Sequence, residues 1–152
     1  MNTPNPEYVE KMKEMVKNAP FPHHMNMQLV DIGVDKAEVE LQLDRIHLQP
    51  FGIVHGGVLA TLIDTATFWS AFIRIPEDCG LVNVDLKLNY LKPVVSGKLK
   101  AKGNCLKAGR TISYAEAEVV DENGELVAHG TSSLMIIPGK SLQVDLKKFI
   151  SE

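Results

Sequence analysis

The sequence predicts an α+β domain in which a curved antiparallel sheet wraps around one long, buried helix. Three observations predict it. A segment from about His55 to Ile73 carries apolar residues around most of its circumference, among them Leu59, Leu62, Ile63, Ala66, Phe68, Trp69 and Phe72. A helix apolar on all sides must be buried on nearly all of them. Six other segments read as strands, and the clearest alternate apolar and polar residues with a period of two. Turn signals at Ala108-Gly109 and Glu122-Asn123-Gly124 punctuate the last three strands, as in an antiparallel meander. In so small a chain the helix is covered only if the sheet curls about it and something else closes the remaining face. A second copy of the chain fits that need.

In chain order, residues 6–18 form an amphipathic helix. Tyr8, Met12, Met15 and Val16 recur at helical spacing, and Pro6 suits the first turn. Pro20 and Pro22 end it. Two short strands follow, 29–34 and 36–43, with a tight turn at Gly33–Asp35; in the second, Ala37, Val39, Leu41 and Leu43 alternate with Lys36, Glu38, Glu40 and Gln42. Residues 44–54 connect to the long helix. Strands are then expected at 80–91, 97–107, 111–121 and 126–137. The tail from Gly139 reads as loose or as a short helix. The organisation is thus an N-terminal helix and linker (1–24), one principal domain (25–138) and a C-terminal tail (139–152).

The bulk properties bound the function. A chain of 152 residues suits one domain with its own core. A net charge of −3 excludes a general nucleic-acid binder, which needs a basic stripe. Cys79 and Cys105 have neither CxxC nor Cys/His spacing, so no zinc site is expected. The polar, mixed-charge N-terminus is unlike a signal peptide, and the longest apolar stretch, Gly52 to Ile75, holds His55, Asp64 and Arg74. A cytoplasmic protein with no membrane span is expected.

The chemistry is concentrated between Gln49 and Asp64. Gly56 and Gly57 stand where the buried helix begins. The first N–H groups of a helix lack intrahelical partners and lie at the positive end of its dipole. Glycine lets a ligand approach them, which suits a carbonyl oxygen that turns negative during attack. A Gly-Gly pair also serves as a tight turn or a packing contact. Asp64 sits inside the same apolar helix, where a carboxylate is costly without partners or a task. It reads either as a bonded structural side chain or as the reactive acid. Asp64 lies about 10 Å along the helix from Gly57. Both groups reach one carbon only if two antiparallel helices meet across a two-fold axis, each offering its acid to the other's start.

The run QPFGIVHGG, the helix carrying Asp64 and the following VNVDLKLNYLKP together resemble the hot-dog fold thioesterases, in particular the phenylacetate-pathway (PaaI-like) branch. The resemblance covers about residues 25–137. It implies hydrolysis of acyl-CoA or aryl-CoA thioesters without metal or cofactor, in homodimers or homotetramers with interfacial sites. It gives Gly57 the role of offering its N–H to the thioester oxygen, and Asp64 that of attacking or activating water. Gln49 would bond the reacting water or the carboxylate. His55 would hold the loop or orient the thioester, and Asn83 would help position water. Gly56, Thr67 and Phe68 would line the substrate site. Some relatives carry a hydroxyl where this chain has Phe68. For the CoA phosphates the candidates are Arg110, Lys107 and Lys92, Arg110 having the geometry that best suits phosphate.

Two other functions compete. A non-catalytic acyl-CoA-binding module would keep the pocket and dispense with the acid, which this chain retains. A hot-dog dehydratase would place a histidine in an HFP-type loop, where this chain reads QPFGIVHGG.

Overall fold

The computed structural model describes residues 3–150. A two-residue strand β1 (Thr3–Pro4) leads into helix α1 (Pro6–Asn18) and a short helix α2 (Pro20–His24). Strands β2 (Met27–Gly33) and β3 (Lys36–Gln42) form a hairpin, followed by a single 3-10 turn (Arg45–His47) and the long helix α3 (Gly56–Phe72). Then come β4 (Cys79–Asn83), β5 (Lys87–Tyr90), β6 (Lys98–Lys107), β7 (Ile112–Val120), β8 (Leu126–Pro138) and β9 (Phe149–Ile150). The main sheet runs β2-β3-β6-β7-β8-β4, all antiparallel, with β5 also paired to β8. This is the expected hot-dog arrangement, with the meander at β6–β8.

The sheet's inner face explains its curvature around α3. Val39 and Leu41 of β3, Leu99 and Ala101 of β6, Ala115 and Ala117 of β7, and Leu134 of β8 are all buried. Opposite them, Leu62, Ile63 and Ala66 of α3 are fully buried. The residues that meet the helix are small where it passes closest. A Cβ added at Gly103 of β6 would lie 2.1 Å from the carbonyl oxygen of Ala66, so only glycine lets α3 settle there. The outer face is polar, and cross-strand register places Glu38 beside Lys102 and Lys102 beside Glu118. Ion pairs join Lys100 to Glu38 (3.1 Å) and Lys98 to Glu40 (3.3 Å).

α1 ends at Asn18, ahead of Pro20 as expected, and Pro20 then takes the first position of α2, where a missing N–H is harmless. Two expectations are corrected. The strand expected at 80–91 breaks at residues 84–86. There the Asp85 carboxylate accepts the Ser133 N–H (2.8 Å) and the Asp85 carbonyl accepts the Ser132 hydroxyl (2.7 Å), replacing ladder bonds. The tail is neither loose nor helical. β9 pairs with β1, and the Asn5 N–H donates to the Lys148 carbonyl at 2.8 Å. Lys148 is buried; its amine donates to the carbonyls of Phe72 (3.0 Å) and Ile75 (2.9 Å) and lies 4.3 Å from the Phe72 ring centre. It thereby caps the negative end of α3. Burial pushes this amine down to about 8.

α1 packs its Tyr8, Met12 and Val16 face into the same core. It is capped by the Asn5 side chain, which accepts the Glu7 N–H at 3.0 Å. No helix among the described residues is long and apolar enough to cross a membrane.

Candidate active site

α3 is not covered all round. Gly57, Ala60, Thr61, Asp64, Thr65 and Phe68 keep partial or full exposure and share one face, since residues three, four and seven apart stack along a helix. The sheet takes one side of α3 and α1, packed on β2, faces it across a cleft, leaving this stripe of mostly small or polar residues. Gly57, Asp64 and Phe68, all singled out from sequence, lie on it together.

Asp64 faces a cleft of about 300 Å³ lined by Met15, Val16, Pro22, Phe68, Trp69 and Leu142. Burial pushes its carboxyl above the usual aspartate range, and no hydrogen bond or nearby charge among the described residues offsets the shift. Its backbone, in contrast, is firmly held. The Asn83 amide nitrogen reaches the Asp64 carbonyl (3.3 Å), the Thr67 hydroxyl (3.3 Å) and the Ser132 hydroxyl (2.9 Å). Thr67 in turn donates to the carbonyls of Ile63 (2.8 Å) and Asp64 (2.9 Å). Asn83 therefore ties β4 to α3 directly beneath the acid. Thr67, expected in the acyl pocket, is fully buried and outside the cleft, while Phe68 lines it.

The start of α3 differs from the simplest expectation. His55 is its N-cap, and the ring Nδ1 accepts the Gly57 N–H at 2.7 Å. The Gly57 amide, expected to be open to a ligand, is thus committed to the imidazole. That bond fixes His55 with its remaining ring proton on Nε2. Gly56 faces Tyr90, whose ring carbon would lie 2.9 Å from a Cβ at this position. Gln49 shapes the preceding loop: its side-chain oxygen accepts the Phe51 N–H, and its own N–H donates to the Ile53 carbonyl at 2.8 Å. In a single chain neither Gln49 nor His55 lines the Asp64 cleft.

Two residues at this end carry no assigned role in the sequence reading. His47 is buried; its Nδ1 accepts the Asp44 N–H (2.9 Å), Nε2 bonds the Met25 carbonyl (2.7 Å) and its own carbonyl accepts the His55 N–H (2.8 Å). It anchors the loop that delivers His55. Tyr90 passed as an ordinary alternating strand residue; the only signal was its placement on a strand that returns toward the glycine pair.

The basic candidates separate. Lys92 is occupied by Asp121 (2.6 Å) and by Glu125. Lys107 and Arg110 are exposed and make no ion pair among the described residues. They flank the β6–β7 turn at the far end of α3, where Arg74 grips Asp35 (2.7 Å) and the Asp35 carbonyl accepts the Cys105 N–H (2.9 Å). No cluster of three or more His, Cys, Asp or Glu among the described residues is placed to hold a metal ion.

A long helix cradled by an antiparallel sheet, with an acid on its open face that has no partner among the described residues, is the hot-dog arrangement. The chain belongs to the thioesterase superfamily, whose pattern it matches over residues 51–128, and it is a thioester hydrolase. It is similar to acyl-coenzyme A thioesterase 13 of Mus musculus, 28% identical over 124 residues, covering 80% of this chain and 88% of that protein. Its fold is similar to that of a thioesterase from Haemophilus influenzae, with a TM-score of 0.82, 25% identity and coverage of 95% and 100% of the two chains. It is also similar to the phenylacetic acid degradation protein PaaI of Thermus thermophilus, with a TM-score of 0.70, 25% identity and coverage of 77% and 98%.

Proposed function

We propose that the protein hydrolyses acyl-CoA thioesters to the free acid and CoA, with Asp64 as the catalytic carboxylate acting as nucleophile or general base. One observation carries this reading: Asp64 is a half-buried acid with no neutralising partner among the described residues, raised by burial, at the edge of an apolar cleft. Such a group is kept for chemistry rather than for stability. The name of the mouse relative supports CoA as the thiol.

The active form is a homodimer or a homotetramer of such dimers. Gly57 and Asp64 are too far apart along α3 to meet on one carbon, but their common face is open to a second α3 running the other way. The free edge of β4 and β5 supports the same pairing, since Val82, Val84, Tyr90 and Leu91 are exposed along it. The thioester oxygen is received at the start of the partner helix. There Gly57 exchanges its bond to the His55 ring for one to the substrate. Asp64 then either takes a proton from water that attacks the carbonyl carbon, or attacks it directly to form a mixed anhydride that water cleaves to the free acid and Asp64; in both cases the CoA thiolate leaves. Asn83 holds the acid's backbone, Gln49 shapes the loop beside it, and Arg110 and Lys107 meet the phosphates.

The test is thiol release from a panel of acyl-CoA esters by the wild type and by Asp64→Ala, with circular dichroism to verify folding. A loss of roughly 10²–10⁴-fold is expected. Near-normal turnover by the folded variant removes Asp64 from this role.

A further inference from the structure

The Asp64 cleft is assembled from three distant parts of the chain. α3 contributes Phe68 and Trp69, whose rings meet edge to face at 5.1 Å. α1 contributes Met15 and Val16, and the tail contributes Leu142. The tail is held against α3 by the buried Lys148 amine and against α1 by Asn5 and the β1–β9 pair. The walls supplied by α1 and the tail lie outside residues 51–128, the stretch that matches the superfamily.

We infer that this cleft holds the acyl group of the substrate, and that Met15 and Leu142 set its length limit. The inference rests on the Asp64 reading, because it is Asp64 that brings the reacting carbonyl to the rim. The chemistry of the lining selects the occupant. No cation among the described residues lines the cleft. The Thr65 hydroxyl is used internally, donating to the Thr61 carbonyl at 2.7 Å. The remaining walls are aliphatic and aromatic. A charged CoA nucleotide has nothing to meet there, and neither has an acyl group ending in a carboxylate, which Asp64 would also repel. An uncharged aliphatic acyl chain fits. At about 300 Å³ the cleft is at the small end of ligand sites, which run from ~300 to ~1,000 Å³, so the chain it takes is of medium length. Trp69 forms a wall and Met15 an adaptable one, since the unbranched thioether side chain fills irregular gaps.

The experiment compares kcat/KM for butyryl-, octanoyl-, palmitoyl- and succinyl-CoA in the wild type, Met15→Trp and Leu142→Trp. The wild type is expected to favour octanoyl-CoA and to hydrolyse succinyl-CoA at least tenfold less efficiently than butyryl-CoA. Each methylene in an apolar pocket changes kcat/KM by roughly 10–200-fold. Filling the cleft from either wall is therefore expected to lower the octanoyl-to-butyryl ratio at least tenfold. Using two variants on opposite walls, each checked by circular dichroism, guards against one that misfolds. Unchanged ratios in a folded, active variant overturn the pocket assignment alone, as does succinyl-CoA hydrolysis as fast as that of butyryl-CoA. Absence of thiol release from every ester by the wild type overturns the Asp64 reading and the pocket with it.

Discussion

Replacing Lys148 with methionine tests how the tail is held. The substitution keeps an unbranched side chain of similar length and removes the amine. In the folded protein burial lowers that amine from 10.5 to about 8, with Glu77 partly opposing the fall. Below pH 8 both folded and unfolded chains carry the proton, and the folded state bears a desolvated charge. Between about 8 and 10.5 the unfolded chain holds a proton that the folded chain has released, so stability rises with pH through that window. The gap corresponds to ~3 kcal/mol at ~1.36 kcal/mol per pH unit. Other groups titrate nearby. Tyr8, pushed up to about 12 by burial and by Glu77, lowers stability as pH rises above 10. The informative quantity is therefore the difference between wild type and Lys148→Met, measured by urea denaturation from pH 7 to 10.5. Relative to the variant, the wild type should gain ~3 kcal/mol across this range. A difference that stays flat, or one that falls, refutes the reasoning that the amine is held dry against the end of α3.

Two further outcomes follow from the packing and from Asp64. Gly103→Ala places a methyl group 2.1 Å from the Ala66 carbonyl oxygen, so α3 must shift off β6; urea denaturation should show a loss of ~3 kcal/mol, and a loss below ~0.5 kcal/mol contradicts the close approach. Because burial raises the Asp64 carboxyl, the folded state keeps a proton that the unfolded chain loses just above the ordinary value of ~3.9, and stability falls as pH rises through that interval. Asp64→Asn should therefore melt higher than the wild type at pH 7, and the acid limb of the wild-type kcat/KM profile should lie above ~3.9; a lower melting temperature for the variant at pH 7 is the contrary result.

Much of the fold was legible because its signals are local. α1 shows in the spacing of Tyr8, Met12 and Val16, and β6 to β8 show in alternation broken by Gly109 and Gly124. Asp64 stood out because a lone carboxylate in an apolar helix is a local contradiction. What escaped depends on contacts between distant residues. Asp85 breaks a strand by bonding Ser132 and Ser133 more than forty residues away. Lys148 looks like any lysine in a polar tail until it reaches the carbonyls of Phe72 and Ile75. His47 shows no ligand spacing, because its partners are backbone groups of a loop and of Met25, two residues before β2. The cleft itself joins positions 15, 68 and 142, and no window along the chain contains all three. The commitment of the Gly57 N–H to His55 was also hidden, since a histidine beside a helix start can hold either rotamer.

The pairing of β1 with β9 sets Thr3 beside Ile150, so the first and last described stretches of the chain are neighbours. The cleft walls that we propose hold the acyl group, at Met15 and Leu142, belong to the terminal segments that this pair ties together, whereas Asp64 sits in the middle of the chain. On that proposal, exchanges near either end retune which acyl group is accepted and leave the helix that carries the acid untouched.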